Sequence, residues 1–192
     1  MNEPVHTFRF ATPDDAEALL KIYEPYIATT VTNETQVPAL GEFRQRIVDR
    51  DGAYPYIVCE EDGRPVGYAY GSRLFSRAAY AWSAELSVYF STDHRGRGLG
   101  RVIYGKLFDL LALQGVRTVV GKVVCPNEKS DHLHEKMGFE LVGTLRAVSW
   151  KLGAWHDVHL WEKHIGDVEA EPAPPLRLSE VDSEKVRAIL EA

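Results

Sequence analysis

Cysteine is scarce in this chain: Cys59 and Cys125 are the only two in 192 residues. They fall in separate strand-like runs and form no C-x-x-C, which argues against a disulfide framework or a zinc site and for two buried free thiols. No apolar run approaches the roughly 20 residues that a helix needs to cross a bilayer, so no membrane partner is expected. Positive charge is also short, with 22 Lys and Arg against 28 Asp and Glu and a formal net charge of -6. General nucleic-acid binding needs a basic face to neutralise phosphates, and this balance speaks against it. The opening residues, Met1 to His6, lack a basic start followed by an apolar stretch, so no secretory signal is read and a cytosolic location is expected. What remains is 45% hydrophobic and 26% charged residues, the composition of a globular domain able to bury a core without staples.

Hydrophobic periodicity divides the chain. Val5 to Phe10 alternates as a strand, and Thr12-Pro13-Asp14-Asp15 supplies a cap, a first-turn proline and acids for a helix running to about Tyr26. Thr29 to Val37 reads as a loop, and Leu40 to Arg50 as a second helix. Tyr56 to Glu60, Pro65 to Leu74 and Ala81 to Phe90 read as strands of an antiparallel meander, the first two joined at Asp62-Gly63. A helix then carries Leu99, Ile103 and Leu107 towards Gly115, and Thr118 to Val124 is the next strand, which implies a parallel crossover and a mixed sheet. Pro126-Asn127 opens a short helix to about Met137, and strands follow at about Glu140 to Leu145 and Trp155 to Lys163. The reading is an α/β (α+β) domain over residues 1–165. Residues 166–192 are a proline-rich linker and a short amphipathic helix over Ser179 to Glu191, an appendage for this or a neighbouring subunit.

The most informative junction is Glu85-Leu-Ser-Val-Tyr-Phe90 followed by Arg95-Gly-Arg-Gly-Leu-Gly100. Glycines strip side chains from a turn, so that backbone N–H groups at the helix start can face a diphosphate that the helix dipole also favours. Arg95, Arg97 and Arg101 add charge. The spacing is neither a Rossmann fingerprint nor a P-loop. Glu85 is a lone carboxylate in an apolar strand. In an apolar cavity its charged form would be disfavoured, which suits a general base near neutrality; the structural alternative is an ion pair with Arg73 or Arg77.

Several spaced stretches together resemble the GNAT-superfamily N-acetyltransferases, and within them the phosphinothricin N-acetyltransferases. They are Thr29-Thr30-x-x-x-Glu34, Arg77-x-Ala-Tyr80, Glu85-x-Ser-Val-Tyr89, Arg95-x-x-Gly98-x-Gly100-x-x-x-Tyr104, Pro126-Asn127, Leu133-His134-Glu135-x-x-Gly138-Phe139, Gly143-Thr-Leu-Arg146 and Gly153-x-Trp155-His156-Asp157-Val158. The resemblance implies the GNAT fold, a mostly antiparallel mixed sheet with a splayed parallel strand pair flanked by helices. It implies acetyl-CoA as cosubstrate, with Val88, Tyr89 and Phe90 pairing with the pantetheine arm, Arg95, Gly96, Arg97, Gly98, Leu99, Gly100 and Arg101 around the diphosphate, and Asn127 holding the cofactor from the next helix start. Glu85 corresponds to the general base, which must leave a neutral amine. His134 is tied to proton movement, as acid or as base.

Arg77, Tyr80 and Arg146 match acceptor positions, where an arginine fork suits tetrahedral phosphorus or sulfur oxygens. The implied acceptors are small amino-acid-like molecules such as phosphinothricin or methionine sulfone and sulfoximine. Asn33 and Gln36 depart from the residues relatives often carry there, an aromatic and an acid. The resemblance also implies a homodimer. Tyr104 reads as a packing residue, and the pairs His132/His134 and His156/His159 diverge by their spacing, so no metal is assigned. Two other readings stay open: acetylation of a protein N-terminus or another amine metabolite, and a non-catalytic acetyl-CoA-binding module.

Overall fold

A computed structural model describes residues 5–50, 52–169 and 171–192. The first four residues of the chain, Asp51 and Ala170 lie outside it. A seven-stranded sheet has the order β1-β2-β3-β4-β5-β7-β6. Its strands are β1 (His6–Phe10), β2 (Tyr56–Glu61), β3 (Arg64–Arg73), β4 (Ser83–Phe90), β5 (Thr118–Val124), β6 (Glu140–Lys151) and β7 (Ala154–His164). The helices are α1 (Ala16–Ile27), α2 (Leu40–Val48), α3 (Leu99–Leu113), α4 (Glu128–Lys136) and α5 (Ser183–Glu191).

The expected meander is present: β1 to β4 pair antiparallel in sequence order, and Asp62 and Gly63, with φ of 50° and 76°, turn β2 into β3. Strand alternation then splits the core into two faces. Ile57, Cys59, Ala69, Ala84, Leu86 and Phe90 face α3, joined by Ile103, Leu107, Leu110 and Leu111. Tyr56, Val58 and Tyr68 face the other way, onto Leu19, Ile22 and Tyr23 of α1 and Phe43 and Ile47 of α2.

Two elements differ from their expected bounds. The sixth strand runs past Leu145 to Lys151 through a register shift between Leu145 and Ser149, and Leu152-Gly153, both at positive φ, turns it into β7. In the tail, Leu178–Glu180 is a single 3-10 turn and the α-helix begins at Ser183, because Asp182 caps it by accepting from the N–H groups of Glu184 and Lys185. The tail packs on its own chain. Val186, Ile189 and Leu190 join the α3-side core, Leu176 exchanges backbone and side-chain bonds with Gln114, and Lys106 Nζ donates to Ile189 O at 2.8 Å. No described helix is long and apolar enough to cross a membrane.

Candidate active site

The site is built where two parallel strands part. Strands β4 and β5 pair over four rungs, from Ser83↔Thr118 to Leu86↔Gly121, while β4 continues to Phe90 and β5 to Val124. Beyond Gly121, β5 pairs with β7 alone. One edge of β4 from Ser87 onward therefore faces a wedge. Ladder parity turns Val88 and Phe90 towards it. At Phe90 the Tyr26 hydroxyl takes up the backbone, accepting from N–H at 3.1 Å and donating to C=O at 2.6 Å. Val88, two residues deeper, presents its N–H and C=O to the same side, where an extended amide-bearing chain can pair with them. The side chain of Tyr89 turns away, into the ring cluster with Tyr23, Tyr26 and Tyr68.

The mouth of the wedge is the glycine turn. Gly96 and Gly98 have φ of 76° and 83°, a left-handed conformation that disfavours other residues, and a side chain at either would point into open space. Gly98 caps α3, and the N–H groups that begin a helix lack intrahelical partners and favour an anion. Leu99 faces the core with its side chain, leaving its backbone for that role. The arginines divide their work. Arg95 lies over the Tyr26 ring at 4.2 Å and donates to Phe90 O at 3.3 Å; Arg97 approaches Glu61 at 3.6 Å; Arg101 is exposed. Glu61 also binds His94 at 2.9 Å, which ties the β2–β3 turn to the glycine loop.

Glu85 sits one rung short of the parting, opposite Val120, and its side chain shares the α1–α2 face with Ser87 and Tyr89. The expected apolar cavity is replaced by an ion pair, and its partner is neither Arg73 nor Arg77. Lys122 Nζ donates to Glu85 Oε2 at 2.7 Å, because Lys122 lies two residues beyond Val120 on the same face of β5. Each of these two central strands carries a single charged residue, which was the signal for this pair.

His134 approaches from the opposite face. It is buried among Tyr104, Phe139 and Trp161, and a side chain on Gly121 would collide with its Nε2 at 2.2 Å, so a glycine is required at the last paired rung. Its Nδ1 lies 2.8 Å from Ser130 O. A carbonyl can only accept, so Nδ1 carries the proton and Nε2 the lone pair. Burial pushes the pKa of His134 below its ordinary value. Helix α4 is held in place by Asp131, which accepts from His159 Nδ1 and Trp161 Nε1 of β7. Asn127 is used locally: its Oδ1 caps α4 by accepting from Ser130 N–H at 3.3 Å. Tyr104 is buried in the same cluster, and burial raises its pKa.

The three acceptor candidates do not converge. Arg146 belongs to the register shift of β6, is largely exposed and pairs with Asp157 at 3.5 Å, near the Val124 end of β5. Arg77 lies in the β3–β4 connection at the Thr118 end, in a cleft of about 340 Å³ shared with Tyr54, Gln114 and Leu176, while Tyr80 is exposed beside Phe75. Two contacts tie β6 to the α1–α2 loop, and of their residues the sequence reading had singled out Asn33 alone. Lys151 Nζ donates to Thr32 O and Ser149 Oγ to Asn33 Oδ1, both at 2.6 Å, so the long β6–β7 hairpin is bolted to the α1–α2 loop.

A parting parallel pair, a glycine turn at its mouth and a carboxylate at its apex define an acyl-transfer class of protein. The Acetyltransferase (GNAT) domain family matches residues 8–160, and the chain belongs to it. More particularly, it is an acetyltransferase similar to phosphinothricin N-acetyltransferase of Streptomyces viridochromogenes, at 39% identity over 87% of this chain and 90% of that one. It is also 30% identical to an L-methionine sulfoximine/L-methionine sulfone acetyltransferase of Salmonella typhimurium, over 87% and 99% of the two chains. Among solved structures, a phosphinothricin acetyltransferase from Sinorhizobium meliloti in complex with acetyl-CoA superposes with a TM-score of 0.85, covering 92% of this chain and 97% of that one at 28% identity.

Proposed function

We propose that the enzyme moves the acetyl group of acetyl-CoA to the α-amine of a small amino-acid-like substrate such as phosphinothricin or methionine sulfone or sulfoximine, by direct transfer with Glu85 as general base. The observation that carries this reading is the position of Glu85, one rung short of the parting of the strands and already within hydrogen-bond distance of an ammonium. The residues present suit acetyl-CoA: the backbone C=O of Val88 for a pantetheine amide, and the turn from Gly96 to Arg101 for the diphosphate. The cosubstrate supplies a thioester, a carbonyl carbon with a good leaving group.

The chain's own residues do the rest. An amine enters as ammonium and has no lone pair until Glu85 removes a proton. His134, with Nδ1–H given to Ser130 and its lone pair at Nε2, is arranged as a proton acceptor or relay on the far face of the sheet rather than as an imidazolium donor. The Val88 N–H serves the oxyanion, while its C=O remains for a pantetheine amide. Arg146, beside the hairpin, is the arginine we assign to the acceptor's acidic group, exchanging Asp157 for it.

The tie between the hairpin and the α1–α2 loop, on the side of the sheet that Glu85 shares, supports a small substrate over a polypeptide N-terminus. The exposed apolar strip of the edge strand β6, with Leu141, Leu145, Val148 and Trp150 and the neighbouring Trp155, supports the homodimer implied by the family. A CoA-release assay across phosphinothricin, methionine sulfone, methionine sulfoximine, ordinary amino acids, an acetylatable peptide and polyamines tests the substrate class. Turnover of the first three is expected; activity confined to polyamines or the peptide rejects the class, and no CoA release with any amine restores the binding-module reading.

A further inference from the structure

The ammonium that Glu85 holds belongs to the chain itself. Lys122 follows Gly121, the last residue of β5 paired with β4, so its stem rises from the lip of the wedge, and its Nζ lies 2.7 Å from the carboxylate assigned above as the base. Its side chain is 38% exposed, so it is neither locked in the core nor carried out into solvent. An acceptor amine must take up this same relation to Glu85 before it can react.

We propose that Lys122 is itself an acceptor, and that without a substrate amine the enzyme acetylates its own Lys122. The inference rests on the reading of Glu85 as base and of acetyl-CoA in the wedge. Glu85 takes one proton from the Lys122 ammonium. The freed Nζ lone pair forms the N–C bond to the thioester carbonyl carbon, and the C–S bond breaks with its electron pair on sulfur. The second proton leaves nitrogen as the amide forms and ends on the departing thiolate, so one ammonium and one thioester become one amide, one thiol and one proton released through Glu85. The product is a neutral amide that no longer forms an ion pair with Glu85.

Other lysines provide the contrast. Lys21 Nζ also lies 2.7 Å from a carboxylate, that of Glu17, but on the exposed side of α1. Lys106 and Lys151 are buried, with their ammonium groups on the carbonyls of Ile189 and Thr32. Proximity to a carboxylate without the wedge is thus present in the same molecule.

The test incubates the full-length protein with acetyl-CoA and no amine, and follows intact mass and the peptides that carry Lys122 and Lys21. Lys122 is expected to gain one acetyl group at least about tenfold faster than Lys21, and Glu85→Gln is expected to slow Lys122 alone by about a hundredfold. Lys122→Arg, which keeps the ion pair, is expected to abolish the mass gain. Equal labelling of Lys122 and Lys21, or labelling of Lys122 undiminished in a folded Glu85→Gln protein, overturns the proposal. CoA release with methionine sulfone in the same preparation separates the two readings: Glu85-dependent turnover with Lys122 unlabelled removes self-acetylation and leaves the enzyme reading standing, whereas absence of both removes both.

Discussion

At the scale of single residues, the proposed chemistry turns on two side chains that approach one wedge from opposite faces of a sheet. Glu85 belongs to an odd-numbered row of β4 that looks towards α1 and α2, and its geometry is set by Lys122. Glu85→Gln keeps the shape and removes the proposed base. Turnover is expected to fall by about two powers of ten or more while the KM for acetyl-CoA stays within about twofold, since the wedge and glycine turn are untouched; steady-state kinetics with both substrates varied check this. His134 gives a pH prediction. Burial lowers its pKa in the folded chain below the ordinary 6.5, so the unfolded chain binds the extra proton first. Its contribution to stability is therefore complete above about pH 6.5 and is lost as pH falls towards the folded value. The drop in melting temperature between about pH 7 and about pH 5.5 is expected to be larger in wild type than in His134→Gln, measured by calorimetry. Glu85 was visible in the sequence as a carboxylate in an apolar strand. Lys122 was not linked to it, because the two are 37 positions apart and only the parallel register brings them together.

At the scale of elements, the hairpin of β6 and β7 is tied to the α1–α2 loop on the proposed acceptor side. Lys151 is almost fully buried, and burial lowers its pKa, yet it holds the α1–α2 loop through Thr32 O. Net, a hydrogen bond from a charged donor contributes about 1.5 to 3 kcal/mol, and desolvating the ammonium offsets much of that. Lys151→Met should therefore change global stability by no more than about 1 kcal/mol. Its effect falls on the loop: amides of residues 28–37 are expected to exchange about tenfold faster, and the acceptor KM to rise severalfold with acetyl-CoA KM unchanged. The run from Glu140 to Leu145 gave the start of β6. Its continuation to Lys151 is paired with β7 across a shifted register that alternation in the sequence does not signal.

At the scale of the whole molecule, the tail closes the α3 side. Beyond the contacts of α5, Trp82 Nε1 donates to Ala173 O at 2.8 Å and Leu178 N–H to Gly52 O at 2.9 Å. Truncation after Ile165 removes three half-buried aliphatic side chains from the core and strips Lys106 of its carbonyl partner. At about 1 kcal/mol or more for each side chain, and about 2 to 4 °C for each kcal/mol in a chain of this size, the melting temperature is expected to fall by about 10 °C. Acetyl transfer below the new transition should persist, because no tail residue enters the wedge.

Local pattern alone determined the meander, the crossover through α3, the glycine turn and the candidate Glu85, while His134 became a candidate only through the family resemblance. Each of the first four follows from spacing within one segment: alternation for strands, three- and four-residue recurrence for helices, glycines where φ must be positive. Only the tertiary structure decided that Glu85 pairs with Lys122, that Asn127 caps a helix, that Arg77 and Arg146 stand at opposite ends of the sheet, and that the tail folds back on its own domain. Those facts depend on register and on which face of the sheet a side chain takes, and both are fixed by packing between segments far apart in the chain.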